Sequence, residues 1–381
     1  MRFGAMRFDA VRFDAMRLGA MRLGAMQLGA TRWIPLLVLA LVTGCVSAPP
    51  FEYVGPAGSV RALTLERAQE MSALHDLYSQ RIRERLPATH DGEVTVWVQE
   101  RPQVVWFFRP GEEVPAFRAA LWNRVHLTDA SESLQIEFAH ELVHALVDGS
   151  WDDFPPILME GVCDQMSGVV SGRENEVMAE RLLLATEGLA DRSILLRIHH
   201  DEGIGEAPIL SGLEVTPVED PLEVFDRSSF DIDPFFGSDR KGGLYGLGYF
   251  VCGRLFERHG IDGTYRLVRE AREERQSIAR RRIANAAGLD TSLEGWRSAL
   301  RAELERNLPR IADGLLEGVV ESLIGWAWTT GRDVETAIRD ARPEIRVSGR
   351  ETSVALTSLP RFDAVLAKAI PGAGPPETPQ P

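Results

Sequence analysis

His140-Glu141-Leu142-Val143-His144 is the segment that most restricts how this chain can fold. Its two histidines share a face only if the backbone between them is an α-helix, because residues four apart then lie one turn apart on the same side. The flanking residues meet that demand. Leu134, Phe138, Leu142, Val143, Leu146 and Val147 are apolar positions around the rest of the turn. The segment therefore reads as a largely buried helix from about Ser133 to Val147, started by Asp129 or Ser131. Imidazoles and a carboxylate on such a helix need partners, and a metal ion is the partner this spacing suits. Both imidazoles can reach one cation, and Glu141 projects beside them, placed to take a proton from a metal-bound water. Zn2+ lowers the pKa of that water to about 7, which makes a nucleophile at neutral pH. The competing reading is two satisfied core histidines beside a paired Glu141. A chance match of this kind arises at about the per cent level in a chain this long.

Catalytic zinc keeps three protein ligands and one open position. The metzincin pattern would place Gly at position 147 and His at 150, but Val147 and Ser150 stand there. Downstream, Leu158-Met159-Glu160-Gly161-Val162-Cys163-Asp164 falls on the next expected helix. Glu160 and Asp164 share a face by their spacing of four, so one can ligate while the other accepts an imidazole N–H. Cys163 lies roughly 60° round that helix from Glu160 and is the lesser candidate.

Taken together, HELVHALVD over 140–148 and MEGVCD over 159–164 resemble the gluzincins, the thermolysin and aminopeptidase N type of zinc peptidase. The resemblance implies a zincin-like α+β fold, with a small N-terminal mixed sheet before a mainly helical body that carries the metal helix. It implies peptide-bond hydrolysis with Zn2+ on His140, His144 and Glu160, with Glu141 as general base and Asp164 orienting the first zinc-bound histidine. Two departures stand out: only fifteen residues separate His144 from Glu160, and Met159 and Cys163 replace the commoner Asn and Ala. Tyr245-Gly246-Leu247-Gly248, followed by Leu255 and Gly260, is similar to an aminopeptidase element whose tyrosine stabilises the tetrahedral oxyanion. That assigns the role to Tyr245, with Tyr249 one turn on as the fallback and a buried helix-start tyrosine as the structural alternative. His126, in a strand just before the metal helix, falls where gluzincins pair an edge strand with extended substrate, a role for its backbone only. No GAMEN-like segment is visible, so the expectation is an endopeptidase. The resemblance covers about 94–268; a silent zinc-binding scaffold of the envelope is the alternative.

The N-terminus reads as an address. Residues 1–30 repeat a five-residue unit from MRFGA to MQLGA, a period that suits neither helix nor strand. A short interaction segment, a basic leader, and an upstream start assigned too early (with Met26 the true one) compete, the last being preferred. From Arg32 a positive residue precedes an apolar run, Trp33 to Val42, too short to span a bilayer but right for a signal peptide. It ends in Leu41-Val42-Thr43-Gly44-Cys45, which resembles the bacterial lipoprotein box. That resemblance implies lipidation of Cys45 and a location in the cell envelope, with the outer membrane expected because Val46 and Ser47 carry no acidic retention signal. An ordinary cleaved signal is the alternative.

The expected organisation is a leader at 1–25, a signal peptide at 26–44, a lipidated Cys45 with a flexible tether to 58, a peptidase domain over 59–270, a helical region over 271–370, and a disordered tail over 371–381. Thr64–Leu86, Asn175–Leu189 and Leu244–His259 read as helices, the last ended by Gly260. Glu93–Glu100, Gln103–Phe108 and Asn123–Leu127 read as strands, and irregular strands are expected near 345–357. His199-His200 is placed at a helix end and 201–240 in a long loop. The net charge of −14 argues against nucleic acid, since counterion release needs a basic face. Arg280-Arg281-Arg282 instead suits a solvated helix face. The first 44 residues hold six Arg and two Asp, so a chain starting at Cys45 would carry about −18. The partners expected are a peptide or protein substrate and, through the lipid, a membrane. Cys163 and Cys252 are expected as two separate buried thiols.

Overall fold

Alternation of buried and outward residues builds the first sheet. β1 (Phe51–Gly55) and β2 (Gly58–Ala62) form an antiparallel hairpin, with Phe51 opposite Ala62 and Gly55 opposite Gly58. Gly58 has φ 138, and a Cβ there would strike the Val94 carbonyl, so the hairpin requires glycine. After α1 (Leu65–Arg85), β3 (Thr95–Gln99) joins β2 in parallel. β5 (Arg124–Thr128) then pairs parallel with β3 and antiparallel with β4 (Phe107–Phe108), for the order β1-β2-β3-β5-β4. Val60, Ala62, Val96, Val98, Val125 and Leu127 are all buried, and the register puts them on one face.

The computed structural model describes residues 48–100, 107–108, 123–129, 134–201, 203–209, 218–226, 242–350 and 352–370. These fall into two units, 48–80 with 91–146, and 81–90 with 147–370. The first contains the mixed sheet and α2 (Leu134–Leu146), which packs on β4 and β5. Fully buried Phe138 of α2 meets the rings of His75 and Tyr78 of α1 at 6.0 and 5.8 Å.

The second unit is mainly helical. α3 (Pro156–Ser171) starts behind Pro155 and ends at Gly172 in the left-handed region, φ 76. α4 (Glu174–Gly188) follows, and both pack against α5 (Gly242–Arg272), whose helix breaks at Gly260 (φ 68, ψ 174) as the sequence anticipates. α6 (Gln276–Ala286) and α7 (Leu293–Thr330) come next. Trp296, Leu300, Leu304, Leu308, Ile311 and Leu315 give α7 one buried stripe. α8 (Val334–Asp340) and α9 (Phe362–Ala369) bracket the last strands. A second sheet, antiparallel throughout, has the order β7-β6-β8-β9, made of β6 (Ile194–His200), β7 (Gly203–Pro208), β8 (Glu344–Val347) and β9 (Ser353–Ala355). The chain is thus a mixed α and β protein with small sheets and a helical body.

Four expectations are corrected. The span 51–58, expected as part of a flexible tether, is instead a β-hairpin, because Phe51 to Val54 can pair with the alternating Gly58–Ala62. β5 is not the sheet edge, since β4 lies outside it. His199-His200 ends a strand, where Ile194, Leu196 and Ile198 take one side of a two-residue period. The stretch after 201 is not one long loop, as β7 pairs with β6 immediately. Asp129 pairs with Arg67 at 2.7 Å, and Ser131 lies outside the described residues, as do Cys45, the signal segment and the tail.

The Arg280–Arg282 run sits on α6, where Arg280 pairs with Asp226 at 2.6 Å and Arg282 with Glu270 and Glu274 at 2.7 Å each. Cys163 and Cys252 are two separate buried cysteines, as expected. Among the described residues, no helix is long and apolar enough to cross a membrane.

Candidate metal centre

α2 is buried over most of its surface, with Gln135 exposed in its first turn. Leu134, Ile136, Phe138, Ala139, Leu142, Val143, Ala145 and Leu146 are covered, whereas Glu137, His140, Glu141 and His144 are half-exposed. Spacings of three and four place those four residues in a single stripe. The sequence reading found three of them and missed Glu137, which has the right spacing but no motif to flag it. The His140 and His144 rings lie with centroids 5.1 Å apart at an interplanar angle of 64°. Two imidazoles bound tetrahedrally to one zinc at about 2.1 Å have centroids about 5 Å apart. The ring separation is therefore compatible with a shared cation.

The helix is anchored at its far end. Buried Asn123 donates from Nδ2 to the Ala145 carbonyl at 3.2 Å and to the Glu93 carbonyl at 3.5 Å. That links the last turn of α2 to the start of β3 and β5, and satisfies a terminal carbonyl the helix itself cannot. Nothing in the sequence around Asn123 announces this, because its acceptors come from segments 22 and 30 residues away.

Glu160, Asp164 and Tyr245 belong to the second unit. On α3, Glu160 is half-exposed and Asp164 is completely buried. Both Asp164 oxygens accept from Arg181 of α4, Oδ2 from Nε at 2.7 Å and Oδ1 from Nη2 at 3.2 Å. Burial opposes the Arg181 charge, but Asp164 outweighs it and holds the guanidinium pKa above its ordinary value. This bidentate pair was missed from sequence: a buried carboxylate calls for a cation, yet spacing alone does not choose Arg181.

Tyr245 is half-buried near the start of α5, and the Arg181 guanidinium carbon lies 5.7 Å from its ring centre. Tyr249 is buried, and burial, followed by the charge of Asp164, raises its phenol pKa. The glycines of this segment have a packing reason of their own. A Cβ on Gly246 would collide with the Ala185 backbone of α4, and one on Gly248 with the Ile157 carbonyl of α3. Gly161 of α3 meets the Gly248 carbonyl in the same way. Close helix contact alone accounts for Gly-x-Gly here.

His126 is buried on β5, its ring 5.2 Å from that of Trp97 and its Nδ1 3.4 Å from Gln99 Oε1. Burial, and then the neighbouring Arg124, lowers its pKa to about 4, so it is neutral at physiological pH. His199 lies 3.6 Å from Glu344 on the second sheet. No family model matches the chain, and no curated protein or solved structure matches it either.

Proposed function

We propose that the protein is a zinc-dependent peptidase of the gluzincin type with a zincin-like catalytic domain, held in the bacterial envelope, at the outer membrane, by a lipid on Cys45. The observation that carries this reading is the half-open stripe of α2, where the His140 and His144 rings lie 5.1 Å apart beside Glu141, a separation compatible with one tetrahedral ion. Glu160 supplies the third ligand. When bound, zinc would contribute Lewis-acid charge and make water acidic enough to ionise near neutrality. The chain's own groups do the rest. Glu141 takes the proton from the attacking water and returns it to the leaving amine. Asp164, fixed by Arg181, holds the imidazole of His140 in one tautomer. Tyr245 donates its hydroxyl to the developing oxyanion. The substrate is a peptide or protein of the envelope.

The test is metal analysis with peptide-library cleavage on the wild type and Glu141→Gln. The variant should keep stoichiometric zinc and lose about 100- to 10,000-fold in cleavage rate. Zinc without any Glu141-dependent cleavage would favour a silent zinc-binding scaffold instead, and zinc-free protein would end the metal reading.

A second donor set is favoured by one observation: His140, His144 and Cys163 form a group able to hold a metal ion. Thiolate is a good zinc ligand, and Cys163 lies three residues after Glu160 on α3. Cobalt substitution separates the two. With Glu160 as ligand, the Co2+ protein shows no near-ultraviolet thiolate charge-transfer band, Glu160→Gln weakens metal binding and Cys163→Ala leaves it unchanged. A thiolate band abolished by Cys163→Ala assigns the ligand to Cys163.

A further inference from the structure

We propose that β1, the edge strand of the first sheet, lies against the lipid surface, so that the first unit is seated on the membrane and does not swing on a leash. The inference rests on the lipid-anchor reading of Cys45. Among the described residues eight large apolar side chains are exposed, and three of them, Phe51 (46%), Tyr53 (40%) and Val54 (68%), fall within the five residues of β1. Among the described residues the strand pairs only with β2, at the end of the sheet. Strand alternation sends Phe51 and Tyr53 to one side and Val54 to the other, and all remain exposed. An apolar rim on both sides of an edge strand invites aggregation in water, unless something covers it.

Distance identifies what covers it. Pro49 is already buried, so the chain is held in the fold four residues after Cys45. Four residues reach at most about 14 Å. A lipidated Cys45 sits at the headgroup level, which brings the start of β1 to within about 20 Å of it at full extension. The strand also suits that boundary by its chemistry. Aromatic side chains, tyrosine especially, favour the layer between headgroup and acyl chain. The one acid on β1, Glu52, is neutralised by Arg61 at 2.7 Å. A chain of strongly negative net charge therefore presents a mainly apolar edge with no net charge at the point where it is tied down.

The test uses the full chain, expressed with its signal and reconstituted in phosphatidylcholine vesicles. Val54→Cys is labelled with an environment-sensitive nitrobenzoxadiazole dye, and Ile278→Cys, an exposed position of the second unit, serves as the control. Cys163 and Cys252 are buried and a lipidated Cys45 has its sulfur blocked, so labelling is directed to the new thiol. The expected result is blue-shifted emission at position 54, quenched by lipids with a nitroxide near the headgroup, with neither effect at 278. Acylation of Cys45 is read on the same sample by mass spectrometry. An acylated chain with an unquenched label at 54 overturns this inference and leaves the anchor reading intact. If the chain is unacylated, Cys45→Ser is introduced so that only position 54 carries the dye, and quenching then sinks the anchor and keeps the surface. Disulfide formation between Val54→Cys chains without lipid quenching overturns the inference in favour of a second copy on the same edge.

Discussion

His126 illustrates how position alone changes the chemistry of a side chain. An exposed histidine titrates near 6.5, but on β5 burial and then Arg124 lower this one to about 4. The unfolded chain therefore takes up the proton first as pH falls. The stability that neutral His126 contributes is complete above about pH 6.5 and is lost as pH drops through the folded value near 4. The span corresponds to about 3 kcal/mol at most. Urea unfolding at pH 7 and at pH 4.5 should show this as a fall in midpoint that His126→Gln largely removes; an equal fall in the variant would assign the acid sensitivity elsewhere. The buried Asp164 is a second case. Its carboxylate lies inside the protein with Arg181 gripping both oxygens, and replacing Arg181 by Met should cost about 3–5 kcal/mol by removing that cation from a buried ion pair. Thermal unfolding of Arg181→Met, with the double variant carrying Asp164→Asn recovering part of the loss, checks the coupling.

At the scale of elements, helices that carry candidate site residues are placed by close backbone approach. α3, α4 and α5 meet through Gly161, Gly246 and Gly248, where no side chain would fit. Gly248→Ala forces a methyl group into the Ile157 carbonyl, and the helices must part to admit it. An overpacking cost of about 1–3 kcal/mol is expected, visible as a lower Tm. An alanine tolerated without loss would mean that the helices are looser than this geometry. The substitution also tests what the segment is for. If Tyr245 acts on substrate, Gly248→Ala should reduce kcat as well as stability, because it displaces the start of α5. A fall in Tm with kcat unchanged would leave the segment a packing element only.

For the whole molecule, the C-terminal strands close a sheet begun 150 residues earlier. β8 pairs with β6 so that Ile345 faces Leu196 and Val347 faces Ile194, and Arg197 reaches Glu344 at 3.1 Å. Truncation after Gly331 removes β8 and β9 and bares Ile194 and Leu196, both otherwise buried. Low soluble yield and binding of a hydrophobic dye are expected; a truncated chain that unfolds cooperatively at the parent's urea midpoint would refute this dependence. Local pattern had made the helices and most short strands legible: α1 between Thr64 and Pro87, the break at Gly260, and the half-buried histidine stripe of α2 all follow from periodicity and from residues that start or stop a turn. The same holds for the paired imidazoles, because i and i+4 are neighbours on any helix. What the tertiary structure alone decided are the pairings between distant segments. The β1–β2 hairpin in place of a tether, β4 outside β5, β8 on β6, Asn123 on Ala145 and Arg181 on Asp164 each depend on which groups the fold brings within about 3–5 Å, the range over which hydrogen bonds and sheet pairing act. No spacing along the chain encodes that distance.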